Sequence, residues 1–266
     1  MEELFDQLPD KVDELIDSFL SIPIVGDLNV GFTQYDFWLA VAIVVLLVLM
    51  FTFIKKQSRS LVPEGRFVNG MEFVVEYTRK NMVQDIVGPT WREHFPFIAT
   101  VFFFVLVNNI IGVIPGCHPG TGCIGVTAAL ALVSFIYFIV MGVRKHGVGG
   151  YLKTFSHGLK GPMGPAIWLV EVFSTFLRLI TLAVRLFCNL FAGHIVMGTF
   201  AILTSLFATQ LAQGISLMAF GSAGISLLWL AILIIIYVVE LLVAAIQAFV
   251  FAMLSAVYVQ IAEEEE

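Results

Sequence analysis

Charged residues are scarce in this sequence, at 13% of its 266 residues, whereas hydrophobic residues make up 59%. The mean hydropathy is +0.95. A chain with so little charge lacks the polar side chains that cover a water-soluble globule, so a membrane protein is predicted. The net charge of −6 is unevenly spread and says nothing about partners until it is divided between the two membrane faces. We expect no nucleic-acid partner.

Cysteine is rare as well. The three cysteines, Cys117, Cys123 and Cys188, fit no metal-ligand spacing, so we expect no metal site. Cys117 and Cys123 share one short loop. They either pair, if that loop faces an oxidising side, or remain free thiols.

Signals for targeting and for nucleotide chemistry are also missing. The first 36 residues hold nine acids and a single lysine, Lys11, and they contain no short apolar core with a cleavage site. No Arg- and Ser-rich transit peptide is recognisable either. We therefore expect a protein inserted where it is made, in a bacterial inner membrane or, alternatively, in an organellar one. No Walker-type glycine pattern is present, so nucleotide chemistry and nucleotide cofactors are not expected of this chain.

Five apolar stretches are long enough to cross a bilayer as helices, at about 1.5 Å of rise per residue. These predicted spans are residues 37–54, 95–114, 124–143, 166–208 and 227–262. Two amphipathic helices are predicted beside them, at residues 1–20 and, along a membrane interface, at residues 63–93. The predicted fold is an all-α membrane protein with an acidic N-terminal segment (1–36), one transmembrane domain (37–262) and a solvated acidic tail (263–266).

Positive charge marks one side of the membrane. Lys55, Lys56 and Arg59 follow the first span, while the first 36 residues hold only one lysine. The positive-inside rule therefore predicts the N-terminus outside and the C-terminus inside. Residues 210–226 have no Lys or Arg and are expected to form an outer connection. Glycines and prolines are expected to break any helix in the inner loop after the third span: Gly147, Gly149, Gly150, Gly161, Gly164, Pro162 and Pro165.

The last two apolar stretches are longer than one perpendicular crossing requires, the first by roughly twofold. Each helix is either bent in two or steeply tilted. Tilt in lipid averages about 20°, so helices this long need protein beside them, and a partner surface is implied. No internal repeat is recognisable.

Arg185 lies in the middle of the fourth apolar stretch, and an arginine stays protonated under ordinary conditions. Placing it at a bilayer centre costs on the order of 3 kcal/mol on insertion scales. Arg178 precedes Arg185 by seven residues, and Glu171 precedes Arg178 by another seven. Asn189 follows Arg185 by four. Steps of seven and four return to nearly the same face of a helix, so these four residues form one polar stripe. The stripe favours a functional site. The alternative is a structural arginine that snorkels or pairs with carbonyls.

The last apolar stretch carries Glu240 and Gln247, which are seven residues apart and share a helix face. An intramembrane carboxylate is costly unless it is neutralised or paired, and such residues commonly mark proton paths. His194 is a suitable partner, because an imidazole titrates near pH 6.5 and exchanges protons near neutrality. The alternative is a glutamate that is hydrogen-bonded only for packing.

Three motifs carry a resemblance to a known family. They are NNIIGVIPG at residues 108–116, RLFCNLFAGH at residues 185–194 and ELLVAAIQAFVF at residues 240–251. Their order and spacing, from about residue 61 to residue 262, closely resemble those of subunit a of the F-type ATP synthase, the membrane stator subunit that faces the rotating c-ring. The first 36 residues are not recognisably part of this resemblance.

The resemblance implies a role for each polar residue of the two long stretches. Arg185 matches the arginine that faces the c-ring carboxylate and keeps two aqueous half-channels apart. His194 and Glu240 match a pair that lines the outer half-channel. Many bacterial members have Glu at the first of these two positions and His at the second, whereas this chain has His first and Glu second, as in mitochondrial-type members. Asn189 and Gln247 match polar residues near the arginine. Glu171 and Arg178 match positions near the inner half-channel.

The resemblance also implies partners. The expected function is a proton-translocating stator subunit whose ion flow drives rotation coupled to ATP synthesis. The expected partners are the c-ring, b-type peripheral stalk subunits, the lipid bilayer and, indirectly, the F1 catalytic sector.

One departure from the family pattern falls after the first motif. The family often has T-x-D-x-N there, whereas residues 121–125 read TGCIG, so the usual Asp and Asn are missing. Two rival functions remain at this point. A secondary transporter predicts an internal repeat and discontinuous helices. A structural scaffold predicts that replacing Arg185 leaves proton flux unchanged.

Overall fold

The computed structural model describes residues 9–13, 16, 23–27, 30–57, 65–154, 164–212 and 217–263. Of the amphipathic helix predicted at residues 1–20, residues 9–13 and 16 are helical, and the remainder lies outside the described residues. Two short antiparallel strands follow, β1 (Pro23–Asp27) and β2 (Val30–Thr33). The sequence did not predict this hairpin, which precedes the membrane helices.

The first membrane helix, α1, spans Gln34–Gln57. Thr33 and Asp36 cap its start reciprocally, because the Thr33 backbone N–H donates to Asp36 Oδ2 at 2.9 Å and the Asp36 N–H donates to Thr33 Oγ1 at 3.3 Å. Lys55 and Lys56 lie in its last turn, where positive charge stabilises a helix. The span predicted at residues 37–54 is confirmed.

The second membrane-length segment is built in pieces. Helix α2 (Arg66–Tyr77) passes into a π-helical stretch (Thr78–Gln84), the short helix α3 (Asp85–Val87), a 3-10 turn (Gly88–Thr90) and helix α4 (Trp91–Val113). The direction changes at Gly88, which has φ 75°, a conformation that costs glycine little. The predicted span at 95–114 is confirmed. The location of α2 along an interface remains a prediction.

Helix α5 spans Ile124–Thr154 and consists of two helical pieces, which meet in a kink at Gly147, where the backbone is not helical (φ 72°, ψ 161°). The break predicted in this loop is therefore confirmed at Gly147, whereas Gly149 and Gly150, which were also expected to break the helix, are helical. The packing of Tyr151 explains the difference, since its ring lies against Gly142 and joins a buried cluster with Val259. Burial of an aromatic ring offsets the cost of two helical glycines.

The two longest helices are α6 (Gly164–Ala212) and α7 (Leu217–Glu263). Gly164 and Pro165 were expected to break a helix, but they begin α6, because a proline is well tolerated in the first turn of a helix. Residues 210–212 and 217–226 are helical, so the bounds predicted for the outer connection, 210–226, are wrong; residues 213–216 lie outside the described residues. Helix α6 is continuous over 49 residues and α7 over 47, so neither is divided in two by a non-helical break. At about 1.5 Å per residue each is roughly 70 Å long.

The core lies where α4, α6 and α7 meet. Helix α7 packs along α6 and α4, and α5 packs against both α6 and α7. Ala248, Ala252 and Ala256 are fully buried on one face of α7, where small side chains allow close helix approach. Five helices of the described chain are long and apolar enough to cross a membrane, which confirms the all-α membrane fold and the closing helical hairpin.

Candidate functional site

The carboxylate of Glu240 on α7 lies against Gly193 on α6. A Cβ atom on residue 193 would overlap Oε1 of Glu240 and stand 2.7 Å from Oε2. Glu240 is buried, and its Oε1 atom has no hydrogen-bond partner within the described chain. Gly193 immediately precedes His194, so the helix crossing brings the predicted acid next to the predicted histidine in the chain.

A cavity of about 350 Å³ opens beside this contact. Its walls come from the loop after α4, from α6 and from α7, and they include His118, His194, Met197 and Tyr237. His194 Nε2 lies 3.3 Å from the position of a Cβ atom on Gly112, so the absence of a side chain at residue 112 leaves room for the imidazole. Tyr237 lies one helical turn before Glu240.

Asn109 of the NNIIGVIPG motif links α4 to α7 and to the following loop through hydrogen bonds. Asn109 Nδ2 donates a hydrogen bond to the Ala244 carbonyl of α7 at 3.2 Å, and Thr121 Oγ1 donates to Asn109 Oδ1 at 3.2 Å. Asn109 and Thr121 are fully buried. One asparagine therefore fixes both α7, one turn beyond Glu240, and the loop that forms the cavity wall.

The polar stripe on α6 is present, but its members have different surroundings. Arg178 donates to Glu171 Oε1 at 3.0 Å, and its guanidinium lies 5.7 Å from the ring centre of Tyr258. Arg185 is exposed on α6, and within the part of the chain that the structure describes it forms no ion pair. Asn189, one turn further, has a buried Nδ2 atom without a hydrogen-bond partner among the described residues.

Residues 37–260 of this chain match the protein family called ATP synthase A chain. The chain belongs to this family. ATP synthase subunit a of Chloroherpeton thalassium is 34% identical over 249 residues, covering 91% of this chain and 69% of that protein. The subunit a of Bradyrhizobium diazoefficiens is 33% identical over 243 residues, covering 91% and 92%. That of Myxococcus xanthus is 33% identical over 235 residues, covering 88% and 73%.

As a member of the ATP synthase A chain family with five apolar helices, the chain is a multi-pass membrane protein. The structure brings Glu171 to Arg178 and brings Glu240 beside the residue that precedes His194. Gln247 is buried on α7, with no hydrogen-bond partner for its Nε2 atom among the described residues. Within that part of the chain, no hydrogen bond joins Gln247 to Arg185. The roles of all these site residues therefore remain predictions.

Sequence reasoning missed a second polar cluster at the other end of the bundle. His94 is fully buried on α4, with Nδ1 3.0 Å from the Tyr137 hydroxyl and Nε2 3.0 Å from Glu263 Oε1. Thr90 donates to the other Glu263 oxygen at 3.1 Å. Glu263 was predicted to lie in a solvated tail, and that prediction is wrong for this residue. Residues 264–266 lie outside the described residues.

Two further residues were missed because no pattern in the sequence singled them out. His118 stands in a loop of glycine and proline, and Tyr237 stands in an unbroken apolar run. The presence of an imidazole in a loop with no other charge was the only available signal for His118. No group of three or more His, Cys, Asp or Glu side chains in the described chain is arranged to hold a metal ion.

Proposed function

We propose that this chain translocates protons as the membrane stator subunit of an F-type ATP synthase. The observation that carries the proposal is the buried Glu240 carboxylate, which packs against Gly193 beside the cavity that His194 lines. A buried carboxylate without a hydrogen-bonding partner is costly in a core. This carboxyl group exchanges protons with water in the cavity. Whenever it holds a proton it is neutral, and the cost of burying a charge is then avoided.

Arg185 acts as the gate between two half-channels. It lies on an exposed part of α6, about 14 Å along the helix axis from His194 and about 21 Å from Glu171 at 1.5 Å per residue. A rotor carboxylate cannot stay ionised against lipid, but it can release its proton beside this guanidinium, since the opposite charge offsets its desolvation. The same fixed charge prevents protons from passing directly between the half-channels.

Glu171 and Arg178 serve the inner half-channel. Their side chains are each 25% exposed, so the chain itself does not seal off the ion pair, which lies toward the end of α6 remote from the cavity. A proton taken up through His194 and Glu240 neutralises one rotor carboxylate, which then moves into lipid. After nearly a full turn that carboxylate discharges near Glu171. Each charge moved through 100 mV releases about 2.3 kcal/mol, so several protons are needed for each ATP.

The partners follow from this division of work. The c-ring carries the rotor carboxylates and faces α6 and α7, b-type stalk subunits hold the stator, and the F1 sector supplies nucleotide chemistry. Charge along the sequence supports an N-terminus outside and a C-terminus inside a bacterial inner membrane. The cavity, at the end of α4 remote from Lys55 and Lys56, then opens to the outer side.

Proton pumping by the assembled complex in vesicles tests the function. We expect Arg185→Ala to abolish ATP-coupled pumping, because no fixed cation then releases protons from the ring. Glu240→Gln should reduce flux strongly, since an amide cannot carry a proton. Arg92→Ala and Glu76→Gln remove the same charges from exposed positions of α4 and α2 and should pump normally. Normal pumping by Arg185→Ala would contradict the proposal and favour a structural scaffold.

A further inference from the structure

The loop that closes the cavity carries a second imidazole, that of His118. Its ring meets the Tyr35 ring of α1 edge to face, with 6.0 Å between centroids and 86° between planes. The side chain is half-buried, so one part of it faces the cavity wall while another part reaches solvent. This contact fixes the imidazole in the wall of the cavity that His194 also lines.

The Nδ1 atom of His118 is buried and has no hydrogen-bond partner among the described residues. A buried ring nitrogen left without a partner costs on the order of 1 to 3 kcal/mol. Packing against Tyr35 does not require that cost, because an apolar ring would fill the same place. The buried nitrogen therefore suggests a group that exchanges protons with water in the cavity.

Among the residues that the structure describes, no Asp, Glu, Lys or Arg lines the cavity. The titratable groups that face it are Cys117 and His118 of the loop, His194 of α6 and Tyr237 of α7, and the Tyr35 hydroxyl of α1 is close by. Thiols and phenols titrate well above neutrality. Of the described groups that line the cavity, the two imidazoles are therefore the ones that bind and release protons near pH 7.

Taking proton translocation as the function, we infer that His118 is a proton-transfer residue at the outer mouth of the cavity. Its neutral imidazole accepts a proton from a hydronium ion on the outer side and becomes an imidazolium. That imidazolium then gives the proton to cavity water or to the His194 imidazole and returns to the neutral form. No electrons are exchanged, and the chain is unchanged after each transfer.

Burial favours this cycle. It lowers the pKa of His118 from its ordinary value of 6.5, because desolvation disfavours the imidazolium form. The ring is then mostly neutral at pH 7, ready to accept a proton and quick to release it. Burial raises the pKa of the Cys117 thiol, which therefore stays protonated and does not compete.

The test is proton flux through the assembled complex in vesicles, with the pH of each side varied separately. We expect His118→Gln to reduce flux several-fold and to change its dependence on outer pH but not on inner pH. His118→Asp should restore part of the flux with a more acidic midpoint, since a carboxylate also carries protons but has a lower pKa. His146→Gln is the matched control and should behave like the unaltered chain. It removes a half-buried imidazole that also has a buried nitrogen without a partner among the described residues, but that does not line this cavity.

Flux should be divided by the amount of complex that co-purifies with the ring, so that an assembly defect is not counted as a transport defect. Equal flux in His118→Gln and the unaltered chain over outer pH 6 to 8 would overturn the inference. So would identical pH profiles for His118→Gln and His118→Asp, because these indicate a structural role. Either result leaves the proposed function intact if Arg185→Ala still abolishes pumping.

Discussion

Glu240 and Gly193 occupy adjoining space across the crossing of α6 and α7, with Glu240 Oε2 only 2.7 Å from where a Cβ atom on residue 193 would stand. The glycine therefore sets how closely the acid approaches α6. Since His194 is the next residue, the same close approach sets the relation between the acid and the histidine. A change at residue 193 tests the site without altering either titratable group.

Gly193→Ala should reduce proton flux roughly tenfold or more, because small displacements of reacting groups have large effects on rate. The added methyl group must displace the Glu240 carboxylate, and overpacking of this kind costs about 1 to 3 kcal/mol. Gly70→Ala is the matched control, since a Cβ atom there meets nothing within 4 Å on helix α2. Flux in Gly193→Ala equal to that of the control would show that the position of Glu240 is unimportant.

The ion pair on α6 makes a separate prediction for the inner side. Glu171→Gln or Arg178→Gln alone should lower flux, because each leaves one partly buried charge unpaired. The exchanged double variant, Glu171→Arg with Arg178→Glu, should recover part of the loss. In the double-mutant cycle formed by Glu171→Gln, Arg178→Gln and the two together, the coupling free energy is expected to be about 0.5 to 3 kcal/mol.

The pair of Arg79 with Glu76 provides the comparison for that cycle. It is an exposed pair at 3.4 Å on the segment preceding α4, away from the proposed path. Its removal should leave flux unchanged, as exposed pairs contribute little. If the α6 pair proves equally dispensable, its assignment to the inner half-channel is wrong.

The contact between His94 and Glu263 predicts an effect on stability. Glu263 has a side chain only 12% exposed and touches both His94 and Thr90. Glu263→Ala should lower the free energy of unfolding by about 1 to 3 kcal/mol, because it leaves a buried imidazole nitrogen without its partner. Thermal inactivation of the purified complex measures this, with Glu76→Ala as an exposed control. Equal inactivation temperatures would mean that α7 is not fastened at this end.

Residues that lie close in sequence were predicted well. Lys55 and Lys56 end the first helix where the apolar run ends, and Glu171 and Arg178 meet as helical spacing requires. These relations depend only on the period and rise of a single helix. Predictions failed where a partner from elsewhere in the chain decides. The helix breaks at Gly147 as predicted, but Gly149 and Gly150 stay helical because Tyr151 packs against Gly142 and near Val259.

The sequence by itself determined that five helices of membrane length exist and which polar side chains each one carries, because apolar length and helical period are local properties. Only the tertiary structure decided which polar groups meet. It joins Glu263 to His94, brings Glu240 against Gly193 and puts His118 in one cavity with His194. Each pairing depends on where helices and loops distant in the chain cross, and close packing of small residues at those crossings sets the distances.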